Sequence, residues 1–115
     1  MPTTFIHIAS NVLLIALIYF FDKEVQKWFL EDKKLFLYLC LSVIGSNFID
    51  IDHLLANPIY DPNRCSINFH PLHSWYTMPL WIIGLLQNNK FIRYFCLGVL
   101  LHLWLDWISC LLMVL

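Results

Sequence analysis

The sequence predicts an all-α integral membrane protein, a four-helix bundle folded as a single domain of residues 1–115. Hydrophobic residues make up 60% of the chain and charged residues only 13%, whereas an average soluble domain carries roughly 25% charged residues. The hydrophobic residues are also gathered in long runs, and the last run is too long and too apolar for an ordinary core helix. The alternative fold class, a very apolar soluble bundle, is therefore disfavoured.

Four hydrophobic runs are expected to form the four helices. They are Phe5–Phe21, Leu35–Ile49, Leu72–Leu86 and Phe91–Leu115. The first and last runs are long enough to cross a bilayer, which takes roughly 17–25 helical residues. The two middle runs need their flanking residues, a tilt or a thinner bilayer. Gly45 and Pro79 interrupt the helical pattern of these two shorter runs.

Basic residues in the connections predict the orientation of the bundle. Six lie near the first and third connections, at Lys23, Lys27, Lys33, Lys34, Lys90 and Arg93. The long segment between helices 2 and 3 contains Arg64 alone. Because basic residues accumulate on the cytoplasmic side, both termini and this long, proline-containing ordered loop are expected outside. In a bacterium the protein would be a multi-pass inner-membrane protein, with those parts in the periplasm. The segment Asp22–Lys34 is expected to be an amphipathic turn or a short interfacial helix.

Histidines and aspartates are expected to converge at the outer ends of the helices. These candidate metal ligands are His7, Asp50, Asp52, His53, His70, His73, His102 and Asp106. His102 and Asp106 are four residues apart and therefore share one helix face. An uncompensated carboxylate such as Asp106 costs at least about 2.5–3.5 kcal/mol inside a membrane. Crowded carboxylates also repel one another, so we expect divalent cations between them.

The donor types suggest which metal would bind. Imidazole with carboxylate, and no converging thiolate, is typical of zinc, manganese or iron sites. Eight donors exceed the roughly four that one zinc ion uses, so we expect two or three ions, zinc foremost. The alternative for any one of these side chains, His7 above all, is a helix–helix hydrogen bond.

Three other features of the sequence carry weaker expectations. Arg64 could clamp a phosphate or pair with Asp61, and both interpretations stay open. Cys65 is expected to be a structural residue or a free thiol. Ser42, Gly45 and Ser46 are expected to allow close helix packing. The net charge of −1 gives no reason to expect a nucleic-acid partner.

The histidine and aspartate motifs resemble a known family. They are Asp50-Ile51-Asp52-His53, His70-x-x-His73-Ser74 and His102-x-x-x-Asp106, with His7 in the first helix. Together they resemble the small bacterial inner-membrane metal-dependent hydrolases over essentially the whole chain. That family is similar, distantly, to zinc-dependent phospholipase C and single-strand nucleases, which bind zinc clusters and hydrolyse phosphoesters. The resemblance implies metal ligation by all eight candidate residues.

Two departures from the family pattern concern the metal site. Related members have Arg-x-x-Thr-His-Ser where this chain has Phe69-His70-Pro71-Leu72-His73-Ser74, so His70 stands near the position of that arginine. The His-x-x-x-Glu pair of the soluble relatives is matched here by His102-x-x-x-Asp106.

The sequence therefore favours a membrane-embedded metal-dependent hydrolase that uses metal-activated water. Its substrate would be a lipid or small-molecule phosphoester, and this expectation rests on analogy. Asp50 or Asp52 would accept the proton of the water, and Arg64 would steady the phosphoryl charge. The alternative is a non-catalytic metal-binding membrane protein. A metal transporter is disfavoured because the inner halves of the helices carry few polar groups. A bis-histidine haem anchor is disfavoured because Asp50 and Asp52 crowd the histidines.

Overall fold

The computed structural model describes the backbone of residues 4–55 and 71–114 and the side chains of residues 5–51 and 72–112. Within these ranges the chain is all-helical, as the sequence predicts. The α-helices are α1 (Thr4–Phe21), α2 (Lys23–Glu31), α3 (Lys33–Gly45), α4 (Met78–Leu85) and α5 (Lys90–Val114). Three 3₁₀ helices cover Ser46–Leu55, Pro71–His73 and Trp75–Thr77.

Two helical segments are long and apolar enough to cross a membrane. They are Lys33–Ile51, which combines α3 with the following 3₁₀ turns, and Lys90–Leu112 in α5. There is a third possible span if α1 and α2, which are bent by 100° relative to each other, form one broken span. The chain is thus consistent with a membrane protein, but the predicted four-helix membrane bundle is not confirmed.

The third hydrophobic run differs most from the prediction of one continuous helix. Its α-helical part begins only at Met78, after two short 3₁₀ helices. Pro79 lies at the start of α4, where its missing N–H is not needed; deeper in a helix its ring would clash with the preceding turn. The eight residues of α4 rise about 12 Å, well short of the roughly 30 Å hydrocarbon core.

The second run changes its winding after Gly45. The α-helix α3 ends there, and a 3₁₀ helix continues from Ser46 to Leu55. A 3₁₀ helix has three residues per turn, so side chains three residues apart lie directly above one another. Asn47 and Asp50 have this spacing and therefore project from the same side.

Helix α5 is the element around which the others pack. It contacts α1, α3, α4 and the 3₁₀ helix Ser46–Leu55. One buried cluster joins that 3₁₀ helix, α4 and α5 and consists of Ile49, Trp81, Cys96, Val99 and Leu103. A second joins α1, α2 and α3 and consists of Ile18, Val25, Leu39 and Val43.

Gly98 of α5 packs closely against the residues at the end of α3 and just after it. A Cβ atom there would lie 2.6 Å from Ser46 Oγ and 2.9 Å from Ser46 Cβ. Ser46 is fully buried and donates a hydrogen bond of 2.6 Å to the Val43 carbonyl, so it has little freedom to move. Ser46 thus takes part in close packing as expected, whereas a Cβ added at Gly45 would meet nothing within 4 Å.

The bend between α1 and α2 is attached to the start of α5 through Asp22. Its carboxylate caps α2 by accepting from the Glu24 N–H and also accepts from Lys90 Nζ at 2.7–2.8 Å and from the Tyr94 hydroxyl. Partial burial raises the pKa of Asp22, but the hydrogen bonds from Lys90, Tyr94 and the Val25 N–H, together with the charge of Lys90, lower it more. The net result is a pKa below the ordinary aspartate value.

Candidate metal centre

Three elements bring four metal-binding side chains to one point. Helix α5 supplies His102 and Asp106, which lie one turn apart on its buried face. The 3₁₀ helix Pro71–His73 supplies His73, and the 3₁₀ helix after α3 supplies Asp50. Each of the four offers a ligand atom within 4.8 Å of the other three, and this group could bind a metal ion.

Five of the six separations among the four donor atoms lie between 3.0 and 3.4 Å. Asp50 Oδ1 lies 3.0 Å from His102 Nε2 and 3.4 Å from His73 Nε2. Asp106 Oδ2 lies 3.1 Å from His73 Nε2 and 3.4 Å from His102 Nε2, and the two histidine nitrogens are 3.4 Å apart. A regular tetrahedron has edges about 1.63 times its centre-to-corner distance, so zinc bonds of roughly 2.0–2.1 Å correspond to edges of about 3.3–3.4 Å. The five separations fit this size.

The hydrogen bond of His102 to Asn47 orients its ring. His102 Nδ1 lies 2.9 Å from Asn47 Oδ1, and because an amide oxygen only accepts, Nδ1 is the donor. If His102 is neutral, its Nε2 carries a lone pair and is an acceptor. Two other acceptors, Asp50 Oδ1 and Asp106 Oδ2, lie 3.0 and 3.4 Å from it. These acceptors can share the space only around a cation, which is either a proton or a metal ion. Histidines that bind metals are commonly held by such a second hydrogen bond.

The oxygen of Asp106 that points into the group makes no hydrogen bond of good geometry, although imidazole nitrogens of His73 and His102 lie 3.1 and 3.4 Å away. Asp106 Oδ2 is buried and has no hydrogen-bond donor in good geometry within the described part of the chain. Buried polar atoms without a partner are rare in native proteins. A metal ion at the centre of the group would satisfy this oxygen.

His7 supports the group from outside it. Its Nε2 lies 3.2 Å from Asp106 Oδ1, the carboxylate oxygen that faces away from the four-atom group. Its ring stacks on that of His102, with centroids 3.7 Å apart and planes at 6°. His7 is therefore placed to fix the carboxylate of Asp106 and the ring of His102, and it is not one of the four converging donors.

Burial distinguishes one of the four donors from the others. The side chains of His73, His102 and Asp106 are 0%, 1% and 2% exposed, whereas that of Asp50 is 33% exposed. Asp50 is thus the side of the group that solvent or a substrate can reach.

The structure describes some of the predicted site residues and not others. It brings Asp50, His73, His102 and Asp106 together and places His7 beside them. The side chains of Asp52 and His53, and all of Asp61, Arg64, Cys65 and His70, lie outside the described residues. Sequence reasoning missed Asn47, whose only signal is its position three residues before Asp50.

The cysteines with described side chains have different states. Cys40 and Cys96 are free thiols, and Cys110, near the end of α5, is disulfide-bonded.

Comparison with other proteins gives one match. No curated protein and no solved structure matches the chain, so the expected relationship to zinc-dependent phospholipase C and single-strand nucleases has no support from comparison and stays a prediction. A family model does match, over residues 1–113. The chain therefore belongs to the family of unknown function DUF6122.

Proposed function

We propose that this protein is a membrane-embedded metal-dependent hydrolase that holds one divalent ion, preferentially zinc, between Asp50, His73, His102 and Asp106. The observation that carries this proposal is the set of donor separations of 3.0–3.4 Å, which match the edges of a tetrahedral zinc site. Imidazole and carboxylate donors in this geometry favour zinc over manganese, which suits octahedral oxygen sites.

The unequal burial of the ligands supports catalysis at this site. Catalytic zinc sites have three protein ligands and one exchangeable position, whereas structural sites are closed by four. His73, His102 and Asp106 are the three buried ligands, and Asp50 occupies the partly exposed position. Zinc in such a site lowers the pKa of a bound water towards ~7.

Each residue around the ion then has a role. With an ion bound, Asp50, the partly exposed donor, would accept a proton from water at the exposed side. Asn47 fixes the His102 ring, and His7 fixes Asp106 through its second oxygen. These two contacts would help His102 and Asp106 to keep their positions around an ion.

The proposed substrate class is a phosphoester, with a lipid head group foremost. The family resemblance suggests the phosphoester. The site lies where α5 meets the 3₁₀ extension of α3, and both belong to segments apolar enough to cross a bilayer. A lipid beside these segments would reach Asp50 without leaving the membrane. We further propose that the end of α5 that carries His102 and Asp106 lies on the outer side of the inner membrane, because the basic residues lie near its opposite end, at Lys90.

The second candidate function is a structural metal site. It is favoured by the presence of four protein donors, which would close a tetrahedral zinc site to substrate. The two candidates differ in turnover and in the role of Asp50, but both require the ion.

Metal content tests the part that both candidates share. Detergent-purified protein prepared without chelators should contain about one zinc ion per chain by elemental analysis, or more if the undescribed side chains hold a further ion. Asp106→Asn should lose at least nine-tenths of it, because a buried ligand is weakened. The matched control is Asp32→Asn, an exposed helix cap at which asparagine serves equally well. Wild type without metal, or Asp106→Asn with full metal, would contradict the site.

Turnover separates hydrolase from structural site. Zinc-loaded wild type should release phosphate or phosphorylated head groups from a panel of phospholipids. Asp50→Asn should retain zinc when the ion is in excess, because three buried ligands remain, but should lose about 100-fold or more in turnover. If wild type retains zinc and hydrolyses nothing in the panel, the structural candidate replaces the hydrolase.

A further inference from the structure

A groove between α1 and α5 lies at the end of the molecule opposite the metal donors. Its volume is about 370 Å³, within the range of small-ligand sites. Five apolar side chains line it: Leu14, Leu17, Ile18, Phe21 and Leu97. Asp22, Lys23 and Tyr94 complete the lining where α1 ends. Asp22 binds Lys90, which is sixteen residues or about 24 Å along α5 from Asp106, so the groove is separate from the metal centre.

The two charged residues of the groove differ in how far their charges are matched. The carboxylate of Asp22 accepts hydrogen bonds from Lys90, from Tyr94 and from two N–H groups of α2. Lys90 also lies 3.4 Å from Glu24. Lys23 is exposed and forms no ion pair within the described part of the chain. An anion beside Lys23 would therefore meet an ammonium group that no carboxylate already holds.

We propose that the α1–α5 groove binds one anionic phospholipid, with its phosphate at Lys23 and an acyl chain along the apolar wall. Leu17 and Phe21 of this wall are 47% and 85% exposed, and α5 belongs to a segment apolar enough to cross a membrane. Acyl chains of the bilayer would thus reach the groove directly. Basic pockets between membrane helices bind anionic head groups.

The charge around the groove favours an anionic lipid over a zwitterionic one. The connections at this end carry six basic residues against four acidic ones, a net charge of +2: Lys23, Lys27, Lys33, Lys34, Lys90 and Arg93 against Asp22, Glu24, Glu31 and Asp32. The choline of a zwitterionic lipid would add a positive charge here, while the oxygens of Asp22 are already occupied. The orientation proposed above places this end in the cytoplasmic leaflet, whose surface is negatively charged.

Native mass spectrometry of the detergent-purified full chain tests the lipid class. Phosphatidylglycerol and phosphatidylcholine with identical acyl chains are titrated in parallel. Wild type should bind one phosphatidylglycerol about five-fold more tightly than phosphatidylcholine, the effect expected of one lysine near a charged head group. Glycerol 3-phosphate, which lacks acyl chains, should not displace the lipid. Equal affinities for the two lipids, or displacement by glycerol 3-phosphate, would overturn the proposal.

Two lysine variants test the position of the head group. Lys23→Gln should bind phosphatidylglycerol about five-fold more weakly than wild type. Lys34→Gln is the matched control, because it removes the same charge from an exposed residue outside the groove, and its affinity should stay close to that of wild type. Equal losses in both variants would show a diffuse surface attraction and refute the site.

Two leucine variants test the position of the acyl chain. Leu17→Trp places an indole in the groove and should weaken phosphatidylglycerol binding several-fold. Leu13→Trp is its control, since Leu13 is an exposed leucine of α1 that does not line the groove. Wild-type affinity in Leu17→Trp would show that the chain lies elsewhere. These measurements use no metal, so their outcome is independent of the proposed function.

Discussion

The hydrogen bond between Asn47 and His102 orients the ring of a proposed metal ligand. The sequence does not show that these two residues form a pair, because they lie 55 positions apart. His102 and Asp106 were predictable together because their spacing of four puts them on one face of any helix. The role of Asn47 was not predictable, because the direction of its side chain depends on the 3₁₀ helix that begins at Ser46.

Removing the Asn47 side chain should weaken metal binding without removing a ligand. Asn47→Ala leaves His102 Nδ1 without its acceptor, and loss of such a partner typically costs 10–100-fold in metal affinity. Asn47→Asp keeps an oxygen acceptor and should restore affinity to within a few fold of wild type. Competition with a chromophoric zinc chelator measures both. Equal affinities for wild type and Asn47→Ala would show that the contact does not orient the ligand.

Helix packing at Gly98 shows how the elements constrain one another. The expected small-residue contact involves Ser46, but its partner is a glycine in the last helix, which the local pattern around Ser46 does not reveal. Sequence runs predict which segments are helical, and the bounds of α1 and α5 follow the predicted runs closely. The hydrophobic runs do not predict which small residues contact each other, because that depends on where two helices cross.

Gly98→Ala should destabilise the fold. The added Cβ would overlap Ser46, whose buried hydrogen bond to Val43 prevents it from moving aside. Overpacking of this kind typically costs about 1–3 kcal/mol. Gly45→Ala is the matched control, and it should be neutral or slightly stabilising because its Cβ meets open space. Unfolding in detergent, followed by circular dichroism, measures both; equal effects would contradict the packing.

The junction of α1, α2 and α5 should give the fold a pH dependence. Asp22 has a lowered pKa when folded, so its ion pair with Lys90 stabilises the fold above the ordinary aspartate pKa of 3.8. That contribution disappears as the pH falls through the lowered pKa. Asp22→Asn keeps a cap but not the charge.

The comparison that isolates this effect is between wild type and Asp22→Asn. Wild type should be the more stable at pH 7, and the gap should close in the acid range below the ordinary aspartate pKa. Metal loss at low pH affects both proteins alike and cancels in the difference. A gap that stays constant between pH 7 and pH 3 would show that the ion pair does not stabilise the fold.

The whole molecule exposes an unusual amount of hydrophobic surface. Phe5, Phe21 and Leu86 are 79%, 85% and 78% exposed, and many other large apolar side chains are also open. In water such a surface would drive aggregation, whereas in a bilayer it meets lipid. Composition alone predicted this environment. The number of spans could not be predicted equally well, because Pro79 shortens the third helical segment.

Membrane embedding has a direct consequence for extraction. The protein should stay in the membrane pellet after washing at alkaline pH with carbonate and should be released by detergent. Recovery in the soluble fraction after the alkaline wash would contradict embedding.

Sidedness should show in chemical labelling. Lys33→Cys in a background with all four native cysteines replaced by serine should resist a membrane-impermeant maleimide in intact cells and react in inside-out vesicles. Labelling in intact cells would reverse the proposed orientation.

The bond lengths and ligands of a bound ion are accessible to zinc X-ray absorption spectroscopy on the purified protein. We expect nitrogen and oxygen neighbours at about 2.0–2.1 Å, with two imidazoles in wild type and one in His73→Ala. Sulfur neighbours, six-coordinate zinc, or an unchanged spectrum in His73→Ala would contradict it.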